Sequence, residues 1–393
     1  MSEQSSISPK DQGHRSLLIL LFVGFVLSGI ATVIVGPMLP EFKQRWSLDD
    51  SQLGLFSTVQ FLAALAGTLA SGAIASWRGY RPALVIGYAL MGVGLAGLNS
   101  DARLLAMVAT GVFGLGYGLL TPGTNLFVAE LGGAQSASLL NRLNFMWGVG
   151  ATVCPLLIAF ALKQGALRIL LTSFAVFGGL MVVGLLRVSF GSETHKADPR
   201  TTETQGTGPG LAVTIAMAVL FFGYVAMETS TGGWSAEYAK RLAGAMTGLT
   251  TMAPTFFYAA LTSGRGLAPL VLRRWSERKL VLFALILSAA GTLFLVESTT
   301  LKGALAALFL AGLGCASIYP TYISWLSKWY GVRAKHIGGI LFALASLGGS
   351  AGPLLVGVVS QHAGSLRIGL LAPVVAAVVM FGIVLLLRKQ TTA

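Results

Sequence analysis

Apolar residues in this chain come in runs too long for the buried stripe of a soluble helix and too continuous for the alternation of a strand. A helix needs roughly 20 predominantly apolar residues to cross a bilayer core. Runs of that kind cover residues 17–40, 52–75, 83–98, 104–131, 137–162 and 169–190, then 211–238, 247–272, 280–296, 303–326, 337–360 and 368–387. The third and ninth are the shortest. Residues 191–210 interrupt the series with Ser, Thr, Pro, Gly and charges of both signs, show no apolar periodicity, and read as a flexible linker. The pattern predicts an all-α membrane protein of twelve transmembrane helices: an N-terminal six-helix half over 1–190, a linker over 191–210 and a C-terminal six-helix half over 211–393. The polar start does not read as a cleavable signal peptide, because the apolar run after it is long enough to span and more runs follow.

An internal repeat supports the two halves. Gly114-Leu115-Gly116 followed by Pro122 recurs as Gly312-Leu313-Gly314 followed by Pro320. Gly150 followed by Pro155-Leu156-Leu157 recurs as Gly348 followed by Pro353-Leu354-Leu355. Both matches have the same offset of 198 residues by subtraction of residue numbers, without gaps. Six spans separate the copies, so both copies point the same way, as in halves related by an axis along the membrane normal.

Composition and charge sharpen this picture. Hydrophobic residues make up 54% of the 393 and charged residues 10%, which would leave a soluble fold without a polar surface; the 50 glycines suit close helix packing in lipid. The formal charge of +13 is spread over short loops rather than one face, so no nucleic-acid partner is expected. On the side holding both termini, the linker and the loops after even-numbered spans lie roughly 17 Lys and Arg, against about 9 on the other. That asymmetry predicts cytoplasmic termini and a multi-pass protein of the cell membrane, the inner membrane in a bacterium. Cys154 and Cys315 fall inside apolar runs, so neither a disulfide framework nor a metal site is implied. Gly92-Val93-Gly94-Leu95-Ala96-Gly97 has dinucleotide-loop spacing but no preceding strand, and no phosphate-binding GxxxxGK[ST] loop occurs. No cofactor, ATP-driven step or catalytic pair is expected, so the chain does not read as an enzyme.

Charge at membrane depth is the filter for function, since a charged side chain at mid-bilayer costs about 3 kcal/mol or more. Glu228 and Arg265 lie clearly inside spans. At 1.5 Å per residue they sit roughly 25 Å and about 10 Å from the terminus-side ends of their helices, which argues against a direct ion pair. Glu228 is the expected substrate and coupling group; Arg265 is expected to be structural, near a gate. Tyr224, Glu228 and Thr231 share a helix face, and Gly232-Gly233 before Trp234 is expected to loosen that helix at a cavity. Gln60, Asn125, Asn144, Trp147, Tyr319 and Trp325 complete the candidate binding set, because amides and aromatic faces suit polyhydroxylated ligands. Each is individually as compatible with interhelical hydrogen bonding. The loop and helix-end arginines Arg78, Arg81 and Arg142 are assigned gate or structural roles.

Two parallel six-helix halves joined by a central loop resemble the major facilitator superfamily over nearly the whole chain. The loop signature of that family appears in altered form as Gly72-Ala73-Ile74-Ala75-Ser76-Trp77-Arg78-Gly79-Tyr80-Arg81, with Ser76 in place of the aspartate; Thr110 stands where an arginine is common. Within the family the chain is similar to the fucose-permease-like sugar porters. The strings that carry this are Gly114-Leu115-Gly116-Tyr117-Gly118 with Asn125, Leu140-Asn141, Trp147 to Ala151, Tyr224-Val225, Glu228, Gly233-Trp234, Gly264-Arg265, Gly312 to Ala316 and Tyr319-Pro320-Thr321. The resemblance implies a monomeric transporter of a small polar solute, a monosaccharide, by alternating access, with H+ or Na+ as possible co-substrate. Helices one and four lack the acidic residues that serve coupling in fucose permease, which leaves Glu228. An exporter of amphipathic or drug-like compounds is the alternative within transport, and a receptor or scaffold with a transporter fold the alternative outside it.

Overall fold

The computed structural model describes residues 9–132, 136–188, 190 and 209–387, and nearly all of these are helical. The expected linker lies outside the described residues except for its last two. The helices are α1 (Pro9–Val33), α2 (Val35–Trp46), α3 (Asp50–Arg78), α4 (Tyr80–Gly97), α5 (Arg103–Gly132), α6 (Ser136–Lys163) and α7 (Leu167–Arg187). They continue with α8 (Leu211–Ala243), α9 (Gly248–Thr251), α10 (Ala253–Leu272), α11 (Glu277–Glu297), α12 (Leu301–Cys315), α13 (Ile318–Tyr330), α14 (Ala334–Ala363), α15 (Leu366–Gly369) and α16 (Leu371–Leu386). Among the described residues, ten helical stretches are long and apolar enough to cross a membrane. The helices at the third and eighth expected spans, α4 and α10, are not among the ten; they carry Arg81 and Arg265.

Proline sets several of the breaks. The first expected span is interrupted at Ile34, three residues before Pro37, which has no N–H for the carbonyl four residues back. The same spacing separates Ser317 from Pro320, between α12 and α13, and Leu370 from Pro373, between α15 and α16. Pro122 and Pro155 lie inside α5 and α6 without interrupting them. The far end of α3 begins with a reciprocal cap: Asp49 accepts from the Gln52 backbone N–H (2.8 Å) while the Gln52 side chain accepts from the Asp49 N–H (3.2 Å). The loosening expected at Gly232-Gly233 does not occur, because α8 is continuous through both. Those glycines permit close approach instead: a Cβ on Gly232 would stand 2.6 Å from the Tyr258 hydroxyl, and one on Gly36 of α2 would stand 3.0 Å from the Gly233 backbone.

Packing repeats along the chain. Helix α5 lies against α3 and α4 as α12 lies against α10 and α11; α6 packs on α1 as α14 packs on α8; α7 packs on α4 as α16 packs on α11. The first group meets the second along α3 against α14 and α6 against α10. Glycines of the sequence repeat stand at equivalent crossings. A Cβ on Gly114 would fall 2.3 Å from the Gln60 carbonyl oxygen and one on Gly312 2.1 Å from that of Phe257; Gly150 and Gly348 stand likewise to Val26 (2.0 Å) and Phe222 (2.1 Å). Only a residue without a side chain lets the backbones come so close. Gly150→Leu is therefore expected to force α1 and α6 apart at a cost of about 1–3 kcal/mol or more. A thermal melt of purified protein checks this, and an unchanged midpoint would contradict the crossing.

Candidate functional site

Gln60 of α3 reaches two α1 carbonyls just before the break at Ile34. Its amide N–H2 donates to the Ala31 carbonyl (3.0 Å) and the Thr32 carbonyl (2.9 Å). Gln60 thus positions this stretch of α1, where Thr32 is a node: its hydroxyl donates to the Ser28 carbonyl (2.7 Å) and accepts from the Trp147 indole N–H (3.1 Å). The Ser28 and Thr121 hydroxyls are 3.2 Å apart, and the Tyr117 phenol lies beside both Thr32 and Thr121. The wall made by α1, α3, α5 and α6 at this level is therefore lined by neutral hydroxyls.

The facing wall carries the charge. Glu228 of α8 is 9% exposed and has neither an ion pair nor a geometrically complete hydrogen bond among the described residues. Arg265 of α10 reaches across to α6 and lies over the Trp147 ring, 5.1 Å from its centroid, a cation–π contact between the two groups of helices. Glu228 and Arg265 lie in each other's electrostatic field, yet no nitrogen–oxygen pair between them falls within 4 Å. The Tyr224 hydroxyl is within reach of both and completes a hydrogen bond with neither; the Arg265 Nε is enclosed and unpartnered as well. Tyr224 stacks on Tyr319 of α13 (5.3 Å between centroids, 28° between planes), and Tyr117 faces Tyr319 from the other wall.

Several expected site residues stand elsewhere. Trp234 is fully buried, with its indole N–H on the Pro353 carbonyl (3.0 Å), so it joins α8 to α14. Trp325 donates to Glu277 (3.1 Å), which also accepts from Ser324 (2.8 Å) and Lys328 (2.9 Å) at the terminus-side end of the second group. The expectation of ligand contact is revised for both tryptophans, since each donor already has a protein partner and each ring is sealed by packing. Asn125 and Asn144 donate to carbonyls one turn back in their own helices, Thr121 (2.8 Å) and Leu140 (2.8 Å), which leaves their amide oxygens as acceptors. Asn144 is exposed and Asn125 half-buried.

The arginines divide by role. Arg81 donates to the Leu186 carbonyl at the end of α7, and Arg278 donates to Val384 (3.2 Å) and Leu385 (3.1 Å) at the end of α16. Both occupy carbonyls that a helix C-terminus leaves unpaired. Arg78 lies over the exposed Trp77 ring (4.9 Å), and Arg142 is exposed on α6.

At the opposite end from the termini, a charged cluster joins the two groups of helices. Asp50, 5% exposed at the start of α3, is held by Arg241 of α8, by Lys43 of α2 (2.9 Å) and by the Ser360 hydroxyl of α14. Gln361 accepts from the Asp50 backbone N–H (3.3 Å). Glu237 bonds Arg241 (2.8 Å) and stands 3.7 Å from Lys43, and the Lys240 ammonium donates to the Pro40 carbonyl (3.3 Å). Together with the α2–α8 approach at Gly36 and Gly233, this closes the far end. Only the placement of Asp50, Lys43 and Arg241 near span ends was visible along the chain, and that pattern is ordinary for loop charges.

Known proteins share this architecture. The family model described as Major Facilitator Superfamily matches residues 21–276. A human protein named sodium-dependent glucose transporter 1 is 23% identical over 376 residues, covering 86% of this chain and 72% of its own. A bacterial homolog of the human lysosomal transporter Spinster, in an inward-facing and occupied conformation, superposes with a TM-score of 0.77 at 15% identity, covering 96% of this chain and 97% of that one. The fucose:proton symporter of E. coli superposes with a TM-score of 0.61 at 20% identity over 96% and 99% of the two chains.

Proposed function

This chain belongs to the Major Facilitator Superfamily, and from that premise we propose that it carries a monosaccharide across the cell membrane by alternating access, coupled to H+ or Na+ through Glu228. It is a multi-pass membrane transporter and not an enzyme. The observation that carries the finer reading is Glu228 itself. Its carboxylate is buried between facing walls without an ion pair among the described residues, at a depth where an idle charge is costly. Tyr224, Tyr319, Tyr117 and the amide oxygens of Asn125 and Asn144 supply aromatic surface and acceptors suited to a sugar. The named activities of the human glucose transporter and the fucose symporter point the same way.

In this reading α4 and α10 also cross the membrane, giving twelve spans in two six-helix halves, 1–190 and 211–393, joined by a cytoplasmic linker over 191–210. The excess of Lys and Arg on the terminus side assigns that side to the cytoplasm. The cluster around Asp50 then closes the outer end. Transport requires the halves to rock, breaking the Asp50 cluster while the terminus-side ends of the halves come together. The transporter acts as a monomer, since each chain holds both walls of the site.

Counterflow in proteoliposomes tests the reading. Vesicles preloaded with unlabelled hexose or pentose are expected to draw in labelled sugar transiently, at a rate well above protein-free vesicles. Efflux of lipophilic cations without sugar exchange would favour an exporter. Absence of any flux would leave a receptor with a transporter fold.

A further inference from the structure

Two buried charges face each other without meeting. Among the described residues Glu228 has no ion pair and Arg265 has no carboxylate within 4 Å, and each is an electrostatic neighbour of the other. Two enclosed polar atoms beside them lack partners: the Tyr224 hydroxyl and the Arg265 Nε. Buried polar groups in folded proteins are nearly always hydrogen-bonded, so an unpaired set at one spot marks a place where a polar ligand would be held. Among the described residues the other titratable groups around the pair are Tyr117, Tyr258, Tyr319 and Cys315. None of these carries a charge near neutral pH, so the pair is balanced and has no surplus of either sign to offer a ligand.

We propose that the gap between Glu228 and Arg265 is a subsite for two adjacent hydroxyls of an uncharged sugar. One hydroxyl donates to the Glu228 carboxylate; its neighbour accepts from the Arg265 guanidinium; the Tyr224 phenol completes whichever oxygen lies between them. A hydroxyl both donates and accepts, so a vicinal pair satisfies an acceptor-only and a donor-only group at once. An anionic sugar meets Glu228 repulsively, and a cationic one meets Arg265 repulsively. Each is attracted by the other member of the pair yet still loses its own hydration on entry, so a sugar phosphate or uronate is disfavoured by charge against a neutral sugar. Trp147 enters as the platform that holds the Arg265 guanidinium in place, with its own N–H anchored on Thr32. Arg265 thus passes from the gate role expected along the chain to a ligand contact. The subsite rests on the proposal that the substrate is a monosaccharide, and refines it to which groups of the sugar are read.

The test is equilibrium binding to the purified full-length protein with a panel built on one sugar that binds: the parent, each of its monodeoxy derivatives, the uronate and the amino sugar. Removing either hydroxyl of one adjacent pair is expected to weaken binding roughly 10–100-fold, the loss typical of hydrogen bonds to charged partners. The uronate and the amino sugar are expected to bind more weakly than the parent. Tyr224→Phe is expected to weaken the parent while adding little to the penalty of the deoxy sugar that lacks its partner, the signature of one shared contact. Monodeoxy derivatives that all bind like the parent, or penalties that multiply independently with Tyr224→Phe, would overturn the subsite while leaving sugar transport standing. Tighter binding of the uronate would overturn the charge argument in the same way. If no neutral sugar binds but a zwitterionic amino acid does, and does so through Glu228 and Arg265, the sugar reading falls together with the subsite.

Discussion

Replacing Glu228 with glutamine is expected to abolish concentrative uptake of the proposed sugar while the protein folds and inserts normally. The substitution keeps the shape of the side chain and removes only its charge. Among the described residues that charge has no ion pair to lose, so little stability depends on it. A charge at this depth is itself unfavourable by about 3 kcal/mol, so the neutral variant should melt no earlier than the parent. The loss falls on transport, because a glutamine cannot exchange a proton or balance a cation. The two halves of the assay separate the roles of the residue. If counterflow survives while accumulation against a gradient disappears, Glu228 couples; if both disappear, it also binds. Uptake that keeps its rate and its ion dependence in Glu228→Gln would remove the residue from the mechanism.

The second large effect concerns the closed far end. Asp50→Ala is expected to shift the protein toward an outward-open arrangement, because Asp50 is the acid on which Arg241, Lys43 and Ser360 converge. Removing one partner of a buried ion pair costs about 3–5 kcal/mol. Arg241 and Lys43 are about one-third exposed, and Glu237 still engages Arg241, so about 2–3 kcal/mol is the fair expectation here. That cost applies only to the conformation in which the cluster forms, so the equilibrium moves roughly 30–150-fold. A cysteine at Ser57, which is buried close to the seam, should then react faster with an impermeant maleimide added from outside; both native cysteines are buried and should stay silent. Unaltered labelling with normal transport would mean that the cluster does not hold the end closed.

How much could be read along the chain depended on whether a residue's significance was local. Glu228 and Arg265 stood out because a charge in an apolar run is anomalous whatever surrounds it. Arg81 stands near a helix end along the chain, but the Leu186 carbonyl to which it donates lies 105 residues away. Trp234 and Trp325 looked like sugar platforms because tryptophan near polar neighbours suits a ligand; their N–H groups in fact reach Pro353 and Glu277, on other helices. Thr32 and Tyr117 do not stand out as site residues along the chain, since nothing local distinguishes a hydroxyl that serves a site from one that bonds its own helix. The continuity of α8 through Gly232-Gly233 was misread for a related reason. Two glycines weaken a helix only where nothing packs on them, and here Tyr258 and Gly36 do.

By itself the sequence determined that this is a helical membrane protein with an internal repeat, because hydrocarbon solvates no backbone group and only long apolar helices satisfy it. The same rule sets the lengths of the runs and makes a buried acid conspicuous. Tertiary structure alone decided that Glu228 and Arg265 face one another without pairing, despite the separation in depth expected from residue counting. It alone decided that Asp50 ties α3 to α8 and α14, and that the enclosed phenol of Tyr224 lies between two charges. These relations join helices far apart along the chain. Helical period and hydropathy describe each helix in its own frame, whereas contact across a seam depends on the rotation, tilt and close glycine crossings that packing sets.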